Sequence, residues 1–200
     1  MKILPLILLA VLVETLTPVV ARAGVYEISA QANYRKTNYD STHSEEEETG
    51  TASVAYYFWD MSALELSYTQ GVANQLDPQY TAFQNIRAYG ADVMFTLADK
   101  DSTFKPYIKV GLAWQDKDLQ YVINPALPPF GVETTGLAPT AGAGAKLMIT
   151  QQLALKFGID VSSSPLFFFA ETVTPSSSGP PPPNVITYDV SANAGVSFLF

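Results

Sequence analysis

The 200-residue sequence has no cysteine and one histidine, only 15% of it is charged, and acids outnumber bases by 19 to 11. Each shortage excludes something. Without cysteine there is no disulfide framework, no thiolate metal site and no lipid-modified cysteine anchor. His43 has no second histidine to share a zinc ion, so no metal site is expected. An acidic chain lacks the basic face that a nucleic-acid partner requires, and the same deficit opposes adhesion to anionic lipid. Long apolar runs are also missing after residue 23. No stretch of 18 or more apolar residues occurs there, and the longest charge-free run, 172–188, contains five prolines, so a helical membrane protein is excluded.

The first 23 residues stand apart. Lys2 opens the chain, Ile3 to Val13 is apolar, and Ala21-Arg22-Ala23 has the small-x-small form of a signal-peptidase site, so residues 1–23 read as a signal peptide. Cleavage between Ala23 and Gly24 removes two bases (Lys2, Arg22) and one acid (Glu14), which moves the formal charge from −8 to −9. Residues 24–200 then form one domain.

What that domain contains is alternation with a period of two, the signature of β-strands. Tyr26, Ile28, Ala30, Ala32 and Tyr34 oppose Glu27, Ser29, Gln31, Asn33 and Arg35. The same rhythm recurs over 51–59, 63–69, 88–97, 107–114, 140–149, 153–162 and 186–200, giving eight strands. Short turns near 59–62, 98–103 and 150–152 alternate with long connections over 37–49, 71–85, 116–135 and 163–184. Strands of about nine to eleven residues, even in number, with small turns at one end and large loops at the other, describe a transmembrane β-barrel. A soluble up-and-down barrel has the opposite polarity, apolar inside.

Glycine decides between them. Six of the twelve glycines (Gly90, Gly111, Gly142, Gly144, Gly158, Gly195) lie on the polar face. Positions in water have no need of missing side chains, whereas the inside of a narrow barrel does. The polar face therefore points inward, and the expected fold is an all-β, eight-stranded, antiparallel, up-and-down transmembrane barrel. Tyr26, Phe58, Trp59, Phe104 and Phe198 near one rim, and Tyr34, Tyr68 and Trp114 near the other, fit interfacial girdles.

The last strand, Tyr188 to Phe200, alternates apolar residues and ends in Phe198 and Phe200. It resembles the signal by which outer-membrane proteins are recognised by their assembly machinery. Together with Phe104-Lys105-Pro106-Tyr107-Ile108-Lys109-Val110-Gly111, Gly142-Ala143-Gly144-Ala145-Lys146-Leu147 and Leu153-Ala154-Leu155-Lys156-Phe157, it makes residues 24–200 similar to the small OmpA-like and OmpW-like outer-membrane barrels. That resemblance implies a bacterial outer-membrane location, with outer-membrane lipid, lipopolysaccharide and the assembly machinery as partners. It implies no single activity, since such barrels serve as structural proteins, adhesins, small pores and a few lipid-modifying enzymes.

Lipid A deacylases of this class pair a histidine with a serine. His43, between Thr42 and Ser44, lies in a loop with no rigid strand to hold it against a nucleophile. The chain is thus expected not to be an enzyme and to carry no cofactor. Glu45 to Glu48 read as a solvated loop tip, although carboxylates also suit divalent cations shared with lipopolysaccharide. Leu166 to Phe169 and the stiff tract from Pro175 to Pro183 mark the fourth loop. Two roles remain: a structural or surface-interaction barrel that offers its long loops to an extracellular partner, or a narrow pore for small or hydrophobic solutes. Eight strands favour the first, because their interior is just wide enough for side chains to fill it. Counting up from the turns puts Glu27, Glu65 and Asp92 with Lys109, Lys146 and Lys156 in one slab roughly 8 to 13 Å high. Arg35, Asp160 and Asp189 are expected in a looser group nearer the loops.

Overall fold

The computed structural model describes residues 25–38, 44–59, 62–77, 80–99, 101–122, 130–163, 171–175 and 188–200. These form nine strands and, among the described residues, no helix: β1 (Val25–Asn38), β2 (Ser44–Trp59), β3 (Ser62–Asp77), β4 (Tyr80–Thr96), β5 (Phe104–Val122), β6 (Phe130–Met148), β7 (Leu153–Ser163), β8 (Glu171–Pro175) and β9 (Tyr188–Leu199). Every pairing is antiparallel. Eight of them close a ring in the order β1-β2-β3-β4-β5-β6-β7-β9, while β8 attaches to the outer edge of β6.

Closure can be followed residue by residue. From Tyr26 on β1, successive cross-strand partners are Tyr56, Leu64, Val93, Val110, Ala141, Val161 and Val190. The β9–β1 register sets Ala194 opposite Ala32 and so, four residues further along, Val190 opposite Lys36, ten residues from the start. With strands about 4.8 Å apart and a rise of about 3.3 Å per residue, that stagger tilts the strands by about 40° and gives a backbone cylinder about 8 Å in radius.

All eight residues on this line are apolar. Shifting the start by one residue gives Glu27, Ala55, Glu65, Asp92, Gly111, Thr140, Ser162 and Asp189, each polar or small. The first line faces outward, with Val110 55% exposed, and the second faces the lumen, with Glu27 and Glu65 each 1% exposed. The barrel is therefore apolar outside and polar inside, the order demanded when the surrounding solvent is hydrocarbon. Two inward glycines carry the steric argument. A Cβ on Gly142 would meet Asp160 and Lys109, and one on Gly144 would meet the Tyr107 ring and the Phe157 carbonyl, all closer than 3.0 Å.

Leu97, just past the end of β4, and then Phe95, Val93, Ala91 and Tyr89 along its outer face are followed by Arg87 and Asn85. At the derived tilt, Leu97 to Tyr89 spans about 20 Å, close to the apolar band of such barrels. Ring pairs line both margins: Tyr26 with Tyr56 and with Phe200, and Phe58 with Trp59, at the turn end; Tyr68 with Tyr89 at the loop end. At the seam, Tyr26 and Phe200 exchange both backbone hydrogen bonds, at 3.0 and 2.9 Å.

The strands run longer than the nine to eleven residues expected. β5 and β6 have 19 residues each and β4 has 17, the excess lying at the loop end. Above the membrane the hairpins remain hydrogen-bonded while both faces turn polar, so the alternation that marks them below fades. Glu45 to Glu48 are accordingly not at a loop tip. They belong to β2, paired with both β1 and β3. The expected fourth loop likewise contributes β8, which pairs with Val132 to Thr135 of β6. Because β7 leaves β6 at Thr140, the upper edge of β6 is open, and β8 covers it.

Candidate functional site

The inner wall carries ladders of hydroxyls, such as Ser29 with Ser53 at 2.7 Å and Thr51 with Thr69 at 2.8 Å. Below them charges meet across the bore. Lys146 on β6 donates to Glu27 Oε2 on β1 at 2.6 Å, and Lys156 on β7 donates to Glu65 Oε2 on β3 at 2.7 Å. β3 and β7 are four strands apart in a ring of eight, so the second pair spans the diameter. All four side chains are at most 3% exposed. Lys109 on β5 lies 3.7 Å from Glu65 Oε1 and 3.1 Å from Asp160 Oδ1, joining a third strand pair to the layer.

Tyr57 hydroxyl donates to the same Glu27 oxygen at 2.6 Å and accepts a hydrogen bond from Lys146. The Lys146 ammonium sits 5.2 Å from the Tyr57 ring centre and 5.6 Å from that of Tyr107, and the Lys156 ammonium 5.5 Å from Tyr107. Both tyrosines also pack on a small apolar cluster of Ala55, Ala63 and Met94. The period-two rhythm sets Tyr57 and Tyr107 on the inner face but gives no sign of their role. They fill the gaps between ion pairs that a charged layer alone would leave.

Two of the charges sit differently from expectation. Asp92, 4% exposed, takes a 2.6 Å hydrogen bond from the Thr140 hydroxyl and has no ion pair among the described residues. Asp160, expected nearer the loops, takes its place in the layer, because Lys109 reaches it from β5; Asn193 donates to its other oxygen at 2.8 Å. Asp189 lies higher and pairs at 2.6 Å with Lys117, which the extension of β5 brings onto the wall. Arg35 stands opposite Glu47 near the loop end of β1. Tyr188 begins β9 opposite Ser163, and the Phe198 and Phe200 rings lie 6.3 Å apart at the turn end. Ala21, Ala23, Gly24 and His43 lie outside the described residues, as does Leu166 to Phe169. No group of three or more metal-binding side chains occurs among the described residues.

Within the layer Glu27, Glu65 and Asp160 are ion-paired with Lys146, Lys156 and Lys109. What the arrangement does chemically is pair opposite charges across a narrow bore.

Comparison with known proteins bears on the whole chain. The profile of the family described as "Outer membrane protein beta-barrel domain" matches residues 6–198. Among solved structures, the chain is similar to the N-terminal β-barrel domain of OprF from Pseudomonas aeruginosa, at 19% identity and a TM-score of 0.56, covering 89% of this chain and 98% of that one. It is similar to Neisserial surface protein A at 15% identity and a TM-score of 0.59, over 88% and 97% of the two chains. A third is Ail, the attachment invasion locus protein of Yersinia pestis, solved with the heparin analogue sucrose octasulfate, at 12% identity and a TM-score of 0.53 over 89% and 99%. At these identities the likeness is one of fold. No curated protein sequence matches.

Proposed function

The chain belongs to the outer-membrane protein β-barrel domain family and resides in the bacterial outer membrane, and from that premise we propose that it is a structural or surface-interaction barrel whose lumen is plugged. The observation that carries this reading is the pair of buried ion pairs, Lys146–Glu27 and Lys156–Glu65, that cross the bore. Charges held this way are tolerable in a low-dielectric interior only while both partners remain. The layer therefore closes the path for ions and fixes the strands around it. Function then falls to the loop end, where the tall β4, β5 and β6 wall displays residues outside the membrane. Ail, of the same fold, binds a heparin analogue, which supports an extracellular partner for this chain, while the acidic balance of this chain points to a partner that is not sulfated; lipopolysaccharide surrounds the upper aromatic margin. A narrow conduit for small or hydrophobic solutes is the second reading, favoured by the polar chamber that continues above the layer.

Planar-bilayer recording of the folded protein separates the two. The plugged barrel conducts ions poorly, and Lys109→Ala or Lys146→Ala raises its conductance. A large, stable current in the unaltered protein, unchanged by either substitution, would overturn the plug and favour the conduit.

A further inference from the structure

The seam that closes the barrel is paired along only part of its length. β1 and β9 pair from Glu27–Leu199 to Ala32–Ala194 and no further, although β1 runs on to Asn38 against β2 and β9 begins at Tyr188 against β7. Tyr26 and Phe200 exchange two backbone hydrogen bonds, and in an antiparallel ladder every second pair does so, which carries the exchange up to Ala32–Ala194. Leu199, one residue out of step, donates instead to Gln152 on the β7 side. By the same parity Tyr34 and Lys36 on β1, and Val190 and Ala192 on β9, aim their N–H and C=O groups at the seam. The register sets Tyr34 opposite Ala192 and Lys36 opposite Val190, but neither pair forms, and these groups have no backbone partner among the described residues.

The gap has a definite place in the wall. At the derived tilt each residue climbs about 2.5 Å, so Ala32, six residues beyond Tyr26, lies about 15 Å above it, and the parted edges run from the upper part of the apolar band to the loop end. Small residues leave the outer approach open: Ala32, Ala192 and Ala194 border the gap, and Gly50 pairs with Ala32 from β2. From inside, the lumen chamber of about 150 Å³ reaches the gap at Asn33, Ser191 and Asn193. An unpaired edge inside the apolar band is costly, and an edge within reach of water is a template for a further strand. The surrounding charge is acidic: Glu45 to Glu48 and Asp189, five acids, stand against Arg35, Lys36 and Lys117, three bases, for a net −2.

We propose that the parted upper seam is a strand-addition site for an extended segment of an extracellular protein in which basic and apolar residues alternate. Rows of N–H and C=O groups two residues apart, on two facing edges, are what an added strand satisfies. Its side chains then turn by turns toward the polar chamber and toward the apolar outer wall, and the basic ones match the local charge. The site rests on the surface-interaction reading and names the class of partner for it.

The test titrates folded protein, in a non-ionic detergent, with a fluorescein-labelled hexapeptide of alternating valine and lysine, with the same peptide N-methylated at alternate residues, and with its valine–glutamate counterpart. N-methylation removes main-chain donors and keeps the charge and the apolar side chains. The first peptide binds with saturation, and the other two bind at least about tenfold more weakly, the loss of main-chain hydrogen bonds or of charge complementarity. Ala192→Pro deletes an N–H that has no strand partner in the free protein, so it keeps the heat-dependent gel mobility of a folded barrel and weakens the first peptide about tenfold. The N-methyl comparison uses the unaltered protein and stands should Ala192→Pro fail to fold. Equal binding of the N-methylated or the valine–glutamate peptide, no binding of the first peptide, or binding indifferent to a folded Ala192→Pro would each overturn the site. A dimer by light scattering that Ala192→Pro dissolves would hand the edge to a second copy and overturn the extracellular partner. Bilayer recording of the same preparation separates the two claims: an open bore with the peptide bound defeats the plug alone, and a closed bore without binding defeats the strand-addition site alone.

Discussion

Replacing Lys146 with methionine removes one ammonium from the barrel interior while keeping most of the side-chain volume. In the native protein that ammonium lies 2.6 Å from Glu27 Oε2, with the two side chains 3% and 1% exposed. After the change Glu27 retains the Tyr57 hydroxyl at 2.6 Å as its hydrogen-bond donor, and its charge has no counter-ion in contact. Breaking a buried pair from one side costs about 3–5 kcal/mol, which at about 1.4 kcal/mol per decade is two to three and a half decades in the folding equilibrium. Removing both charges, Lys146→Met with Glu27→Gln, is expected to recover most of that loss, because no buried charge is then left without its partner. Urea unfolding in lipid vesicles reads the difference. Trp59 at the turn-end rim and Trp114 on the outer face, 72% and 38% exposed, report insertion by fluorescence. A loss below about 1 kcal/mol for the single variant, or a double variant as unstable as the two singles added together, would refute the reasoning.

The remaining expectations concern packing, assembly and processing. Gly144→Val drives a side chain into the Tyr107 ring and should cost about 1–3 kcal/mol by overpacking, whereas Gly50→Val, outward with nothing within 4 Å, should leave the urea midpoint nearly unchanged; equal effects would contradict the inside–outside assignment. Phe198→Ser with Phe200→Ser removes the aromatic seam beside Tyr26, and should leave the protein unfolded in the periplasm; a heat-modifiable band in purified outer membranes would contradict the assembly role. Intact mass of the membrane-extracted protein is expected to correspond to a chain beginning at Gly24, and a species retaining residues 1–23 would end the signal-peptide proposal.

The fold below the upper aromatic margin was legible because membrane and lumen impose opposite polarities on adjacent residues. Wherever both solvents act, as at Leu64-Glu65-Leu66, alternation is strong and strand, face and register follow from it. Above the margin water bathes both faces. There Glu45 to Glu48 and Asp116 to Val122 carry no alternation, so their continuation as strand depends on backbone pairing that sequence pattern does not encode. The charged layer was legible as a set of inward residues, but its pairing was not. Height along the strand groups Asp92 with Lys109, whereas the stagger of the barrel and the reach of a lysine decide in favour of Asp160. Tyr57 and Tyr107 went unassigned for a related reason: period two gives a side chain's face and says nothing of which neighbours it meets across the bore.

The central claim is a polar lumen closed by an ion-pair layer, and the absence of native cysteine allows a direct measurement of it. Single cysteines at Ser67, lining the chamber above the layer, Thr96, inward and 7% exposed at the turn end of β4, and Leu66, 56% exposed on the outer face, are treated on intact cells with a small charged thiosulfonate that does not cross membranes. Ser67→Cys should react, while Thr96→Cys beneath the layer and Leu66→Cys in the lipid should not. Reaction of Thr96→Cys at the rate of Ser67→Cys would mean an open bore, and reaction of Leu66→Cys with Ser67→Cys inert would mean that the faces are reversed.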